Sequence, residues 1–263
     1  MYYFISSPQN GQVKRWKKLQ TKKGRQTFGT YLIEGVHLLQ EALKAQIAIN
    51  AIIMVETFEK TNDLPLLEDL DIPIYQLPSS IFSQLAETKQ SQGIMAEVTL
   101  PVWEWSTILA ASKLILLLDE IQDPGNLGTI FRTASAAGVD CVVLGEGTVD
   151  PFNSKVIRST QGALFHLPIR EQSLMRTIED CKRENFTIAG TSPHRGIYSY
   201  DFVFPEKVAI VLGNEARGIH DSIIDQLDQA LMVPMPGVAE SYNVSVTAGM
   251  LLYEWIRQQG AAT

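Results

Sequence analysis

The stretch Leu231–Trp255, LMVPMPGVAESYNVSVTAGMLLYEW, decides how the rest of the chain is read. It begins as a short apolar strand, passes through a Pro- and Gly-rich bend, and opens a helix at Glu240-Ser241-Tyr242-Asn243. On that helix Val244, Ala248, Leu251, Leu252 and Trp255 share one stripe at i, i+4, i+7, i+8, i+11. Val246, Met250 and Ile256 add apolar groups to its other faces, interrupted by Ser245, Thr247 and Glu254. A helix apolar nearly all round is buried, in a core or at a subunit contact. The loop before it is polar, sharply turned and aimed at a helix N-terminus, a setting for a small-molecule site.

Upstream of that stretch, LILLL (Leu114–Leu118) and VAIVL (Val208–Leu212) are continuous apolar runs, as strands buried on both faces of a parallel sheet require. CVVLG and FTIAGTS read as further strands, with NSKVIRSTQGALF and SLMRTIEDCKREN as helices between them. This alternation predicts an α/β fold with a mostly parallel, doubly wound sheet that binds ligands at the carboxyl ends of its strands.

The first hundred residues alternate on a smaller scale. Tyr31–Ile33 is a strand leading into a helix with Val36, Leu39 and Leu43 on one stripe. AINAIIMVE and IPIYQLP have strand composition, and SSIFSQLAE is a short helix with Ser79 and Ser80 as candidate N-caps. GIMAEVTLP is a strand ended by Pro101. Residues 1–100 therefore read as a small α/β domain, 101–111 as a connection whose Trp103 and Trp105 suggest packing, and 112–263 as the second domain.

Bulk properties narrow the function. The chain has 263 residues with the composition of an ordinary soluble globular protein, and its formal net charge of −7 taken alone argues against a nucleic-acid protein. No apolar run approaches the roughly 18 residues of a membrane span. The N-terminal MYYFISSPQNG lacks the order of a signal peptide, so a cytoplasmic location is expected. Cys141 and Cys181 form no disulfide framework. His37, His166, His194 and His220 show no metal-ligand spacing, and no metal is expected.

The charge is uneven. Lys14, Arg15, Lys17, Lys18, Lys22, Lys23 and Arg25 fall in one segment with no acidic residue before Glu34. Such a footprint is what phosphate backbones feel, and Trp16 interleaves the charges as in nucleic-acid contacts. A solvated helix face with a mobile terminus is the alternative.

Three loops follow strands in the second half. In Asp123-Pro124-Gly125-Asn126-Leu127-Gly128, Pro-Gly makes a tight turn and Asn126 can cap the next helix, on whose polar side Arg132 lies. In Gly213-Asn214-Glu215-Ala216-Arg217-Gly218, the glycines let backbone approach a ligand, and Glu215 can pair with an arginine or hold a ribose hydroxyl. The third is the loop of the opening stretch, where Ser241 or Asn243 can also simply cap the last helix. Neither glycine loop carries the GxGxxG fingerprint, so a nicotinamide cofactor is poorly supported.

These segments carry a family resemblance. LLLDEIQDPGNLGTIFRTASAAG, IVLGNEARGI and MVPMPGVAESYNVSVTAGMLLYE resemble the three ordered motifs of the SpoU (TrmH-type) RNA 2′-O-ribose methyltransferases of the SPOUT superfamily. DPFNSKVIRSTQGALFHLPI between them is also similar to the family, and GTYLIEGVHLLQEAL resembles its ribosomal-protein-like substrate-binding domain. The resemblance implies a deep C-terminal trefoil knot and S-adenosylmethionine held, bent, by backbone groups at Leu212, Gly213, Val233, Met235 and Tyr242, with Gly237 shaping the bend. It implies a homodimer through the C-terminal domain that includes the last helix. Asn126, Arg132, Glu215, Ser241 and Asn243 stand at the family's catalytic positions. Arg132 would contact the RNA phosphate and assist deprotonation of the ribose 2′-hydroxyl, and Asn126 and Glu215 would hold it. A guanidinium is a poor base and a good phosphate clamp, which favours positioning and charge stabilisation. Tyr242 and Thr247 depart from the smaller or aliphatic residues common there.

The resulting expectation is S-adenosylmethionine-dependent 2′-O-ribose methylation of structured RNA, ribosomal RNA favoured. Lys14, Arg15, Lys17 and Lys18 are candidate RNA contacts. So are Lys155 and Arg158, which share a helix face at i, i+3. The alternatives are a transfer-RNA 2′-O-methyltransferase, or a non-catalytic RNA-binding or ribosome-assembly factor.

Overall fold

The computed structural model describes residues 1–59, 64, 67, 70–88, 90–192 and 195–260. Of the histidines, His194 lies outside the described residues. Contacts divide the chain into two compact units, Met1–Val102 with Asp150–Phe165, and Trp103–Val149 with His166–Thr263.

In chain order the elements begin β1 (Tyr2–Phe4), α1 (Gly11–Leu19), α2 (Lys22–Phe28), β2 (Thr30–Glu34) and α3 (Val36–Lys44). They continue with β3 (Ile49–Val55), β4 (Ile74–Leu77), α4 (Ser79–Phe82) and β5 (Ile94–Thr99). Then come α5 (Trp105–Ala111), β6 (Leu114–Leu118), α6 (Pro124–Ala136), β7 (Cys141–Leu144) and α7 (Ser154–Thr160). β8 (Ile169–Glu171), α8 (Leu174–Arg183), β9 (Thr187–Thr191) and β10 (Ile197–Tyr198) follow, then β11 (Val208–Leu212), α9 (Asp221–Ile224), β12 (Gln229–Met232) and α10 (Val244–Gln258).

The first unit is built on a five-stranded sheet in the order β1-β4-β3-β5-β2. One face is covered by α1, whose Val13, Trp16 and Leu19 pack with Ile53, Leu77, Phe82 and Met95. Trp16 is therefore a core residue, fully buried, and its Nε1 donates to Glu97 Oε2 at 2.9 Å. The reading of Trp16 as an aromatic among RNA-contacting charges is corrected: on α1 it sits on the apolar stripe with Val13, while the lysines occupy the opposite side. Buried Glu97 also accepts from Arg15 Nη2 at 2.6 Å and Thr30 Oγ1 at 2.7 Å, so its carboxylate is satisfied by three donors.

Other details differ from the sequence pattern. Ser79 and Ser80 lie inside α4, which starts after Pro78 with no side-chain cap bond. On α3 the buried residues are Leu38, Leu39 and Ala42, so the core stripe is rotated from Val36 and Leu43. Residues 150–165, which fall within the 112–263 range drawn from the sequence, group with the first unit. There Asp150 forms an ion pair with buried Arg25, and the Phe152 ring lies 4.8 Å from that of Tyr31. Contacts of that kind join distant residues and leave no local periodicity.

The second unit holds a seven-stranded sheet, β10-β12-β9-β11-β6-β7-β8, in which every neighbouring pair is parallel. All residues of β6 and β11 are buried, as their unbroken apolar runs required. Each fully buried Leu, Ile or Val contributes about 1.5–3 kcal/mol. Cys141 and Cys181 lie in this core, where burial pushes both thiols up to about 12, so at neutral pH they act as small apolar groups. The expected connection is largely α5, which inserts Leu109 into the same core while Trp105 Nε1 donates to Asp180 at 2.9 Å. No helix among the described residues is long and apolar enough to cross a membrane.

Candidate active site

In a parallel sheet the loops that can meet are those leaving the same edge. β6 and β11 pair in register from Leu114↔Val208 to Leu118↔Leu212, so the chain leaves both strands side by side. The Asp119 N–H donates to the Leu212 carbonyl at 2.9 Å, and the buried Asp119 carboxylate accepts the His220 N–H at 2.8 Å. Asn214 Nδ2 donates to the Glu120 carbonyl at 2.8 Å, and its Oδ1 accepts from the Ala216 and Arg217 amides. The loop 213–218 is thus pinned at both ends. It also closes on itself: a Cβ at Gly213 would lie 2.2 Å from the Gly218 carbonyl carbon, and Gly218 has φ +75°. Both positions need glycine, the first for space and the second for a left-handed turn.

Two helices start at this edge. α6 is capped by Asp123, whose side chain accepts the Asn126 N–H at 2.8 Å, so Asn126 is not the cap expected from the sequence. Its side chain is left free to reach across the site. α10 is capped by Asn243, whose Oδ1 accepts the Ser245 amide at 2.9 Å and the Ser245 hydroxyl at 2.6 Å. α10 packs against α6 and buries Val244, Ala248, Leu251 and Leu252, the stripe read from its sequence, with Trp255 half-buried beside them.

The side chains of the three loops join. Asn126 Nδ2 donates to Glu215 Oε1 at 2.9 Å, and Asn243 Nδ2 donates to Asn126 Oδ1 at 2.9 Å. A carboxylate only accepts, so Glu215 orients the Asn126 amide and thereby the Asn243 amide. Ser241 is exposed in the same loop as Asn243, without a hydrogen bond among the described residues. The expectation that Asn126 and Glu215 hold Arg132 is corrected: those two bond to each other instead, and Arg132, exposed on α6, has no partner among the described residues, so its guanidinium is free for an external anion.

Behind this chain lies a cleft of about 400 Å³. Gly213, Val233, Met235 and Tyr242 line it, together with Thr191, Ser192, Glu215, Leu231, Glu240, Ser241, Val244 and Thr247. Leu212 does not: it is fully buried at the end of β11, one residue short of the wall. Tyr242 Oη donates to the Pro234 carbonyl at 3.0 Å and closes the loop between them. The volume suits a nucleoside-sized ligand, within the roughly 300–1,000 Å³ of small-molecule sites. Thr191 and Ser192 escaped the sequence reading, although their place at the end of a parallel strand was a usable signal. Asp119 and Asn214 also matter, because they fix the loop that carries Glu215.

The candidate RNA contacts lie in the first unit. Lys14 and Lys18 are exposed and make no hydrogen bond or ion pair among the described residues. Arg15 is engaged by Glu97, and Lys17 Nζ donates to Gln84 Oε1 at 2.6 Å. Lys155 is exposed on α7, while Arg158 is half-buried, with a buried Nη1 that has no partner. No group of His, Cys, Asp or Glu that could hold a metal occurs among the described residues.

Comparison with known proteins matches residues 113–253 to the SpoU rRNA Methylase family and residues 10–96 to the MRM3-like substrate binding domain. The 23S rRNA (guanosine(2553)-2′-O)-methyltransferase RlmP of Bacillus subtilis is 41% identical over 249 residues, covering 95% of this chain and 97% of that protein. A putative RNA methyltransferase of the TrmH family from Porphyromonas gingivalis superposes with a TM-score of 0.81 at 29% identity, covering 94% of this chain and 97% of its own. The SpoU methyltransferase AviRb from Streptomyces viridochromogenes shares the fold, with a TM-score of 0.87 at 24% identity over 97% of this chain and 100% of its own.

Proposed function

The chain belongs to the SpoU rRNA methylase family and is an S-adenosylmethionine-dependent RNA 2′-O-methyltransferase; we propose that its substrate is ribosomal RNA and that the joined loops form its active site. The observation that carries the assignment of the site is the Glu215–Asn126–Asn243 chain at the mouth of the cleft. The ribosomal substrate is supported by the relative that shares nearly the full length and acts on 23S rRNA.

The cleft fits the cofactor in kind. Leu231, Val233, Met235 and Val244 offer apolar surface for a base, and the loop 213–218 offers backbone groups for polar edges. The Glu215 and Glu240 carboxylates complement a cation. When bound, S-adenosylmethionine supplies an electrophilic methyl group on a positively charged sulfur.

The protein must then present a ribose 2′-hydroxyl and help it lose its proton. Arg132 offers a fork of donors for the adjoining phosphodiester, which fixes the ribose and stabilises charge growing on its oxygen. Glu215 has a second carboxylate oxygen beyond the one bonded to Asn126, placed to accept the hydroxyl hydrogen bond. Asn126 and Asn243 hold that carboxylate still, so alignment is established before substrate arrives. Ser241 lies beside them as a further polar contact.

The same reading includes the trefoil knot, supported by the family and by the three motifs following β6, β11 and β12 of one parallel sheet. It includes a homodimer. Val246, Met250 and Tyr253 are 46%, 38% and 68% exposed on the free face of α10, an apolar stripe that a second copy would cover. A cytoplasmic location follows from action on ribosomal RNA. Mapping 2′-O-methyl groups in ribosomal RNA from cells with and without this gene tests the proposal. One position should lose its methyl group without the gene; an unchanged ribosomal map with a lost transfer-RNA methyl group would move the substrate.

A further inference from the structure

Along α1 the residues Gly11, Lys14, Arg15 and Lys18 follow at i, i+3, i+4, i+7 and form one stripe beside the Phe28 ring. Together with Asn10 and Gln12 they line a groove with no carboxylate among its described lining residues. Arg15 differs from its neighbours. Its Nη2 is held by Glu97 at 2.6 Å, and its guanidinium carbon lies 4.9 Å from the centroid of the Phe28 ring. Glu97 is itself 3% exposed and fixed by Trp16 and Thr30, so it is a rigid anchor. The Arg15 side chain still keeps 35% of its surface open.

An arginine held in this way is a poor phosphate clamp, because Glu97 already neutralises it. Its planar group, backed by an aromatic ring, is instead a preformed surface for stacking. Lys14 and Lys18, exposed and unpaired one turn apart on either side, supply the charge that Arg15 does not. Unpaired RNA presents both groups at once, a flat base and a phosphate on each side of it.

We infer that this groove binds one unpaired RNA nucleotide, its base stacked on the Arg15–Phe28 pair and its flanking phosphates on Lys14 and Lys18. Duplex RNA cannot use it, since its bases are already stacked. The first unit thereby selects a loop or bulge in the substrate, which rests on the reading of the protein as an RNA methyltransferase.

The test compares Arg15→Lys, Lys14→Gln/Lys18→Gln and wild-type full-length protein. Each is titrated against an RNA hairpin with an unpaired loop and against the same stem as a plain duplex, over a range of salt. Arg15→Lys keeps the charge and removes the planar group, so hairpin affinity should fall roughly 5- to 150-fold with an unchanged salt slope and unchanged duplex binding. The exposed lysine pair should flatten the salt slope by about two phosphate contacts on the hairpin. Thermal melting of both variants checks that they fold. Equal hairpin affinity for Arg15→Lys and wild type, or an equal loss on hairpin and duplex, overturns the stacking site while leaving the enzyme reading intact. Wild-type protein that binds neither RNA overturns both.

Discussion

Asn243 Nδ2 donates to Asn126 Oδ1 at 2.9 Å, joining two residues 117 positions apart. Asn126 in turn donates to Glu215, so one asparagine ties the loop after β11 to the starts of α6 and α10. Neither asparagine lines the cleft, although Glu215 does, which separates the role of the two amides from the binding of the cofactor. Asn126→Ala should therefore lower the single-turnover methylation rate about 100-fold, the scale of losing one preorganised polar contact. The dissociation constant for S-adenosylmethionine, read by calorimetry, should change less than about threefold. Equal losses in rate and affinity would refute that separation.

Arg132 is the exposed cation of α6 proposed to meet the RNA backbone. Arg132→Lys keeps one charge and removes the bidentate fork, and a drop of at least about tenfold in single-turnover rate is expected. A near-normal rate would show that any cation serves there.

Gly213 has no room for a side chain. Gly213→Ala should lower stability by about 1–3 kcal/mol and abolish cofactor binding, because the added methyl pushes the 213–218 loop off its closure. Thermal melting and calorimetry read the two effects. Wild-type affinity in the variant would mean that this loop does not shape the cofactor site.

The free face of α10 predicts assembly. Met250→Glu, placed in the centre of the exposed Val246–Met250–Tyr253 stripe, should convert a dimer to monomers in sedimentation experiments at micromolar protein. A wild-type protein that sediments as a monomer, or a variant that remains a dimer, would contradict the proposed interface.

The large-scale plan of the second unit was legible because its determinants are local. Buried parallel strands need unbroken apolar runs, and LILLL and VAIVL supply them. The buried stripe of α10 follows the same logic at helical spacing. Trp16 is hard to place from sequence because lysines dominate around it, whereas its burial rests on Ile53, Leu77, Phe82 and Met95, and its N–H on Glu97, 81 residues away. The place of residues 150–165 rests similarly on Arg25 with Asp150 and Tyr31 with Phe152. The sequence offers Asn126 as a cap because Asp and Asn are equally good at that task, and only the geometry shows Asp123 taking it. The residues of the three loops were visible as unusual, but the bond between Asn126 and Asn243 was not, since no spacing along the chain encodes it.

These loops are proposed to transfer a methyl group to a ribose oxygen of ribosomal RNA. Incubating the purified full-length protein with unmodified ribosomal RNA and S-adenosylmethionine, followed by partial alkaline hydrolysis, tests it most directly. A 2′-O-methyl group blocks cleavage at its own nucleotide, so one alkali-resistant gap should appear with the wild-type protein and fade with Asn126→Ala. Methyl incorporation without any resistant position, meaning transfer to a base, would contradict it.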